Sequence, residues 1–238
     1  MKQLIPILLL CAASAQAQLA FSLTDPVMLT SGGGGGGGIG TTGLVAWFDF
    51  ADATDSHGSY DLTEVGTPTY TPGTPNYGTG TNAGVDKWDT SVNSLDEQIC
   101  HSYVDQAFAL RFRPVSGDVD NGDYALQGNF SRFRVRYLTS TATVELMDIV
   151  VSTAAMSAGT WYTVVGSYDS ATSTLTVWLN GTQYSNTGTP LAGSTGTISL
   201  PLDGGFDVDF FATWQRELTS VEADWIYNSG STRSYSEL

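Results

Sequence analysis

Apolar residues recur at every second position through much of this chain. In residues 107–114 (AFALRFRP), Phe108, Leu110 and Phe112 fall on one face and Arg111 and Arg113 on the other. Residues 131–137 repeat the pattern, with Phe133, Val135 and Tyr137 opposite Arg132, Arg134 and Arg136. A period of two marks a half-buried strand, because successive Cβ atoms point to opposite faces. Residues 44–50, 144–152 and 206–214 read as further strands. The clearest unit is 160–184 (TWYTVVGSYDSATSTLTVWLNGTQY), where Trp161, Val165, Leu175, Val177 and Leu179 are taken as one apolar face. Residues 169–173 turn the chain within it, and Asn180-Gly181 suits a type I′ hairpin, since both residues tolerate positive φ. Thr219-Ser220-Val221-Glu222 has the spacing of a capping box and predicts a short helix through Asn228, stopped by Gly230. The expected fold is all-β: an antiparallel sandwich with one short C-terminal helix.

Lys2, the apolar run over 4–15 and the small-x-small sequence Ala15-Gln16-Ala17 have the layout of a secretory signal peptide, placed at 1–17. The run is shorter than the about 20 residues that span a bilayer, so no membrane insertion is expected. Residues 32–38 are all glycine, which cannot pack side chains or hold one conformation; residues 18–42 are read as a flexible tether and 43–238 as the domain. Removal of 1–17 leaves Cys100 as the single cysteine, so no intrachain disulfide is expected. Nine Lys+Arg against 24 Asp+Glu give a net charge of −15 over 238 residues, which argues against nucleic acid and anionic membrane surfaces as partners.

The segment AGTWYTVVGSYDSATSTLTVWLNGTQ resembles the signature hairpin of concanavalin A-like, laminin-G-type jelly-roll domains. The ending FDVDFFATWQRELTSVEADWIYNSG is similar to that family's closing strand and helix, and LVAWFDFADATDSHGSYDL to its first strand and Asp-containing loop. The motifs occur in the family's order, and residues 66–106 match least well. The resemblance implies two antiparallel sheets packed face to face, with the N- and C-terminal strands close together. It also implies a structural calcium near the joined termini, held by Asp209 of the closing strand with Asp49 or Asp55.

Candidate chemistry is sparse. Related glucanases place two carboxyls on one strand face, and retaining glycosidases need them about 5 Å apart. Here Glu145 and Asp148 are three residues apart and face opposite sides of a regular strand. His57 lies in a Gly/Ser loop and His101 follows Cys100, neither in a nucleophile motif. Asp118-Val119-Asp120-Asn121-Gly122-Asp123 has the look of a calcium loop but lacks its ligand order, with Gly122 at the third ligand position and Asn129 at the twelfth, and reads as an acidic turn. For recognition, Arg132, Arg134 and Arg136, with Arg111 and Arg113, form a basic strip if their strands share a sheet face, and guanidinium forks suit acidic ligands. Trp178, opposite Leu175, Val177 and Leu179, is expected to point outward, as are Tyr162 and Tyr168, while Trp47, Trp161 and Trp214 are assigned to the core. Tyr77 and Trp88 are further aromatic candidates.

These features point first to a secreted, non-catalytic carbohydrate-binding module for glycans or acidic polysaccharides, located extracellularly, in the periplasm or at the cell surface. An alternative is a structural or adhesion protein, such as a phage virion or cell-surface component, that binds protein partners. A polysaccharide hydrolase or lyase is the third reading.

Overall fold

The computed structural model describes residues 38–73, 75–80, 86–90, 95–99, 103–116, 120, 122–128, 133–191, 197–201 and 204–238, with Asp96 and Glu97 described by backbone alone. The signal-peptide assignment, Cys100, His101, Arg132 and, of the acidic turn, Asp118, Val119, Asn121 and Asn129 lie outside the described residues.

Two antiparallel sheets pack face to face, as the alternation predicts. In the first, strands run in the order β13 (Thr182–Thr187), β12 (Thr174–Leu179), β11 (Tyr162–Asp169), β6 (Gln106–Pro114), β15 (Phe206–Trp214), β4 (Tyr77–Gly80) and β3 (Thr69–Thr71), with β1 (Leu44–Phe48) also paired to β15. In the second the order is β10 (Ile149–Ser152), β9 (Thr143–Leu146), β8 (Phe133–Arg136), β7 (Tyr124–Gly128), β14 (Ser199–Leu200), β5 (Lys87–Asp89) and β2 (Thr63–Val65). The core between them takes Phe108, Leu110 and Phe112 from β6, Phe133 and Val135 from β8, and Leu175, Val177 and Leu179 from β12. Side-chain hydrogen bonds tie the sheets at both edges: Asn186 Nδ2 donates to the Val150 carbonyl at 2.9 Å at one, and at the other Tyr70 Oη donates to Glu64 at 2.5 Å and accepts from Trp88 Nε1 at 2.7 Å.

A second apolar layer lies on the outer face of the first sheet. Helix α1 (Ser220–Tyr227) opens with the predicted capping box, in which the Thr219 hydroxyl accepts from the Glu222 amide and Glu222 accepts from the Thr219 amide. Its Ala223 and Ile226, with Leu218, cover Trp47, Val165, Trp178, Phe210, Ala212 and Trp214. Ile39 joins this layer and Gly38 lies against the backbone of Leu238, so the last residues assigned to the tether pack on the sandwich.

One glycine seats the aromatic cluster beside the cleft described below. A Cβ at Gly78 of β4 would run into the Trp88 indole and sit 3.2 Å from Phe50, and Trp88 and Phe50 are themselves fully buried, edge to face at 4.9 Å. Gly78→Ala is therefore expected to lower stability by about 1–3 kcal/mol through overpacking, read as a reduced urea midpoint with the slope unchanged.

Candidate binding cleft

The central strand β15 has a neighbour change halfway along. Its first residues, Phe206–Val208, pair with β4, and its last four, from Phe211, pair with β1. Between them the register slips: against β6, Val208 is followed by Phe210, leaving Asp209 as the extra residue of a β-bulge. At this level β1 has ended and β4 has not begun, so the sheet has a gap beside Asp209. The gap is a cleft of about 290 Å³, lined by Asp49 and Ala51 after β1, by Gly73, Pro75 and Asn76 before β4, by Asp209, and by Thr232–Ser234 of the C-terminal segment. A second hollow of about 300 Å³, lined by Phe50, Ala51, Tyr70, Thr71, Pro72 and Asn76, adjoins it through Ala51 and Asn76.

The walls are held by local hydrogen bonds. Phe50 has a φ of +47°, in the left-handed region that bulky residues avoid, and this breaks the strand alternation at the lip of the cleft. The Asp49 carboxylate accepts from Trp47 Nε1 at 2.7 Å, Ser56 Oγ at 3.1 Å and the Tyr235 amide at 3.3 Å. Asn76 Oδ1 accepts from the Gly73 amide at 2.9 Å. Tyr70 donates to Glu64 and accepts from Trp88 Nε1 at 2.7 Å, which fixes its ring; burial and Glu64 hold its phenol well above the ordinary range.

Behind the cleft sits a buried ion pair. Asp209 Oδ2 accepts from Arg111 Nη1 at 2.5 Å and Oδ1 from Thr232 Oγ1 at 2.9 Å, and both charged side chains are nearly inaccessible. Arg111 also donates to the Gly230 carbonyl at 2.7 Å, so the pair ties β6, β15 and the C-terminal segment together. Burial pushes the Asp209 carboxyl up from 3.8 to about 6; Arg111 and the Thr232 hydroxyl oppose the rise, and Asp49 adds to it. Desolvation outweighs the attraction of the guanidinium, as it commonly does for interior pairs.

Several sequence expectations are corrected. The arginines do not form one strip: β6 and β8 belong to different sheets. Arg111 is consumed by Asp209, Arg113 by Asp207, and Arg134 by Glu145; Arg136 donates to the Gly122 carbonyl and lies over Tyr124. Trp178 does point away from Leu175, Val177 and Leu179, but it is 6% exposed within the layer under α1, and offers no platform. Tyr162 and Tyr168 face the core, because Tyr162 lies directly across from Phe112 and cross-strand partners share a face. Trp161, assigned to the core, is instead half-buried on the outer face, with the Arg111 and Arg113 guanidinium carbons 4.6 and 4.9 Å from its ring centroid and Tyr77 edge-on. Residues 144–152 are a hairpin and not one strand: Met147 and Asp148 both have positive φ and turn the chain between β9 and β10. Asp148 thereby hydrogen-bonds Glu145, whose carboxyl is pushed up by burial against the pull of Arg134. This carboxyl pair is locked to an arginine and lines neither hollow.

Asp49 and Asp209 do meet across the cleft, yet with Asp55 they do not fit a calcium ion. Calcium requires six to eight oxygen ligands. Both Asp209 oxygens accept hydrogen bonds, one of them from a guanidinium where the cation would stand. Both Asp55 oxygens accept backbone amides, those of Trp47 and His57 at 3.0 Å and Tyr60 at 3.2 Å. Among the described residues, the carboxylates that do converge are Asp105, Asp169 and Glu217, with oxygens within 4.8 Å. They were not singled out in the sequence, and burial and the two aspartates raise the Glu217 carboxyl. Sequence reasoning also missed Asn76, Thr232, Ser234 and Tyr70. One signal was present: in Asp209-Phe210-Phe211 the alternation of β15 breaks, which is how a bulge is written in sequence.

No protein-family model matches the chain, and no curated protein sequence does. Solved structures share its fold. The binding domain of Paraclostridial Mosquitocidal Protein 1 is 15% identical with a TM-score of 0.64 and covers 79% of this chain and 52% of its own. A structure of botulinum neurotoxin type C, whose cell entry depends on interaction with two ganglioside molecules, is 15% identical with a TM-score of 0.60, covering 79% and 51%. The binding domain of botulinum neurotoxin DC, in complex with rat synaptotagmin II, is 14% identical with a TM-score of 0.61, covering 79% and 52%. The chain thus spans about half the length of these structures, and at such identities the likeness is one of fold: a jelly-roll sandwich used in binding domains.

The ion pair generates a stability prediction. A carboxyl whose folded pKa is raised binds its proton more tightly folded than unfolded, so its stabilising contribution is full below pH 3.8 and is lost as pH rises through about 6. Relative to acid, the ionised carboxylate costs on the order of 3 kcal/mol at neutral pH. Lowering pH from 7 to 5 is therefore expected to raise the melting temperature of the native protein relative to Asp209→Asn, which has no proton to bind. Parallel melting profiles for the two proteins would show that Asp209 titrates as an ordinary carboxylate.

Proposed function

We propose that this protein is a secreted, non-catalytic carbohydrate-binding module. The observation that carries the reading is the cleft: a preformed hollow with a few fixed polar groups at one end and an aromatic ring at the other suits a ligand that is polar at its edges and apolar on its faces. Sugars have that character. The shared fold supports a binding role, since the structures with the same sandwich are binding domains, one of them from a toxin that interacts with gangliosides.

A non-catalytic role is supported by the state of the carboxylates. Asp209 and Glu145, the buried acids nearest to a catalytic arrangement, are each held by an arginine. Export is read from the N-terminal sequence, and no described helix is long and apolar enough to cross a membrane.

On a glycan array the full chain is expected to bind a subset of saccharides equally with calcium and with chelator, because Arg111 and Thr232 occupy the Asp209 oxygens and backbone amides those of Asp55. It is expected to release no reducing ends from the polysaccharides it binds. Binding abolished by chelator would overturn the metal-free reading of the cleft, and reducing-end release would overturn the non-catalytic one.

A further inference from the structure

The two hollows are one groove with unlike ends. They share Ala51 and Asn76, and a ligand crossing between them passes the exposed methyl of Ala51. At the polar end Asp49 is oriented by three donors: Oδ1 accepts from Trp47 and Tyr235 and Oδ2 from Ser56 alone, so Oδ2 keeps a lone pair for a ligand hydroxyl. Asn76 has its carbonyl oxygen committed to Gly73, which leaves the amide N–H₂ as donors. At the other end the half-buried Tyr70 ring is anchored through its hydroxyl beside Pro72, which makes a fixed apolar surface. Acceptors, donors and a ring platform in that order match one sugar unit held by its hydroxyls and the next by its C–H face.

The charge of the groove restricts the sugar. All three donors to Asp49 are neutral, so its charge is uncompensated. The nearby cations are already engaged: Arg111 by Asp209 and Gly230, and Arg233 by the Trp225 carbonyl at 2.8 Å and Glu237 at 3.0 Å. Elsewhere Arg113, Arg134, Arg216 and Lys87 are each paired with a carboxylate. A carboxylated or sulfated sugar in this groove meets Asp49, and among the described residues the one guanidinium that lines it, Arg233, is already paired with Glu237.

We infer that the groove between the end of β1, Asn76 and residues 232–234 binds an uncharged saccharide of at least two units. Hydroxyls are read at the Asp49–Asn76 end, and an apolar sugar face stacks on Tyr70 at the other. The inference rests on the carbohydrate-binding reading, and adds to it both a location and a ligand class.

The test is calorimetric titration of the full chain with neutral disaccharides (cellobiose, maltose, lactose, N,N′-diacetylchitobiose) and acidic ones (digalacturonate, a heparin-derived disaccharide). Binding of a neutral disaccharide is expected, at least about tenfold tighter than of either acidic one. Ala51→Trp, an exposed substitution that blocks the junction without entering the core, is expected to weaken it more than about tenfold, and Asp49→Asn to a similar extent. Val150→Ser, on the other sheet, is expected to bind like the native chain. Disaccharide binding that survives Ala51→Trp would remove the groove from the picture while leaving the protein a carbohydrate binder. Tighter binding of the acidic sugars would overturn the ligand class, and no binding to any of the six would overturn the inference and the carbohydrate reading together.

Discussion

Every residue of β15 is buried, on both faces of its sheet, and much of the remaining structure answers that constraint. The inner face needs only the opposing sheet. The outer face presents Asp207, Asp209, Phe210, Ala212 and Trp214, and neither kind of residue is stable there uncovered. The apolar group is sealed by α1 and Leu218. The two aspartates, buried without partners, would each cost several kcal/mol; Arg113 and Arg111 from the neighbouring β6 supply the counter-charges. Thr79 adds a hydroxyl to Asp207 at 2.6 Å, and Thr232 adds one to Asp209. The C-terminal segment is thereby drawn over the bulge, and the cleft is the space left where it does not quite meet β1 and β4.

The fold was legible because its signals are local. Period-two runs gave β6 and β8 their inward faces, Asn180 and Gly181 both adopt positive φ as their turn requires, and Thr219–Glu222 forms the box its spacing announces. What failed was non-local. Whether Trp161 or Tyr162 faces the core depends on which residue of β6 lies opposite, and Tyr162 meets Phe112. Whether five arginines form one strip depends on which sheet receives β8. Trp178 was oriented correctly relative to its own strand, but the helix that covers that face could not be read from strand alternation. The site was legible only in part: Asp49 and Asp209 came from a likeness that implied a metal, whereas the structure puts a guanidinium in the metal's place. Asn76, Tyr70 and Thr232 join them from segments with no motif of their own.

The cleft walls derive from three stretches of irregular backbone, which ordinarily would make for a soft site. Here each stretch is closed on itself. Asp55 gathers the amides of Trp47, His57 and Tyr60 and so fixes the loop that carries Asp49. Asn76 Oδ1 accepts from the Gly73 amide. Ser234 and Glu237 form a capping box in the last turn of the chain, next to the Tyr235 amide that reaches Asp49. The strained φ of Phe50 is tolerated because its ring is clamped edge to face on Trp88, itself pinned by Tyr70. Phe50 and Trp88 both pack against Gly78, so the lip of the groove and the core share the same contacts. A ligand arriving at such a groove has little loop ordering to impose, and the free energy of its few polar contacts and one stacking surface goes into affinity rather than into shaping the site.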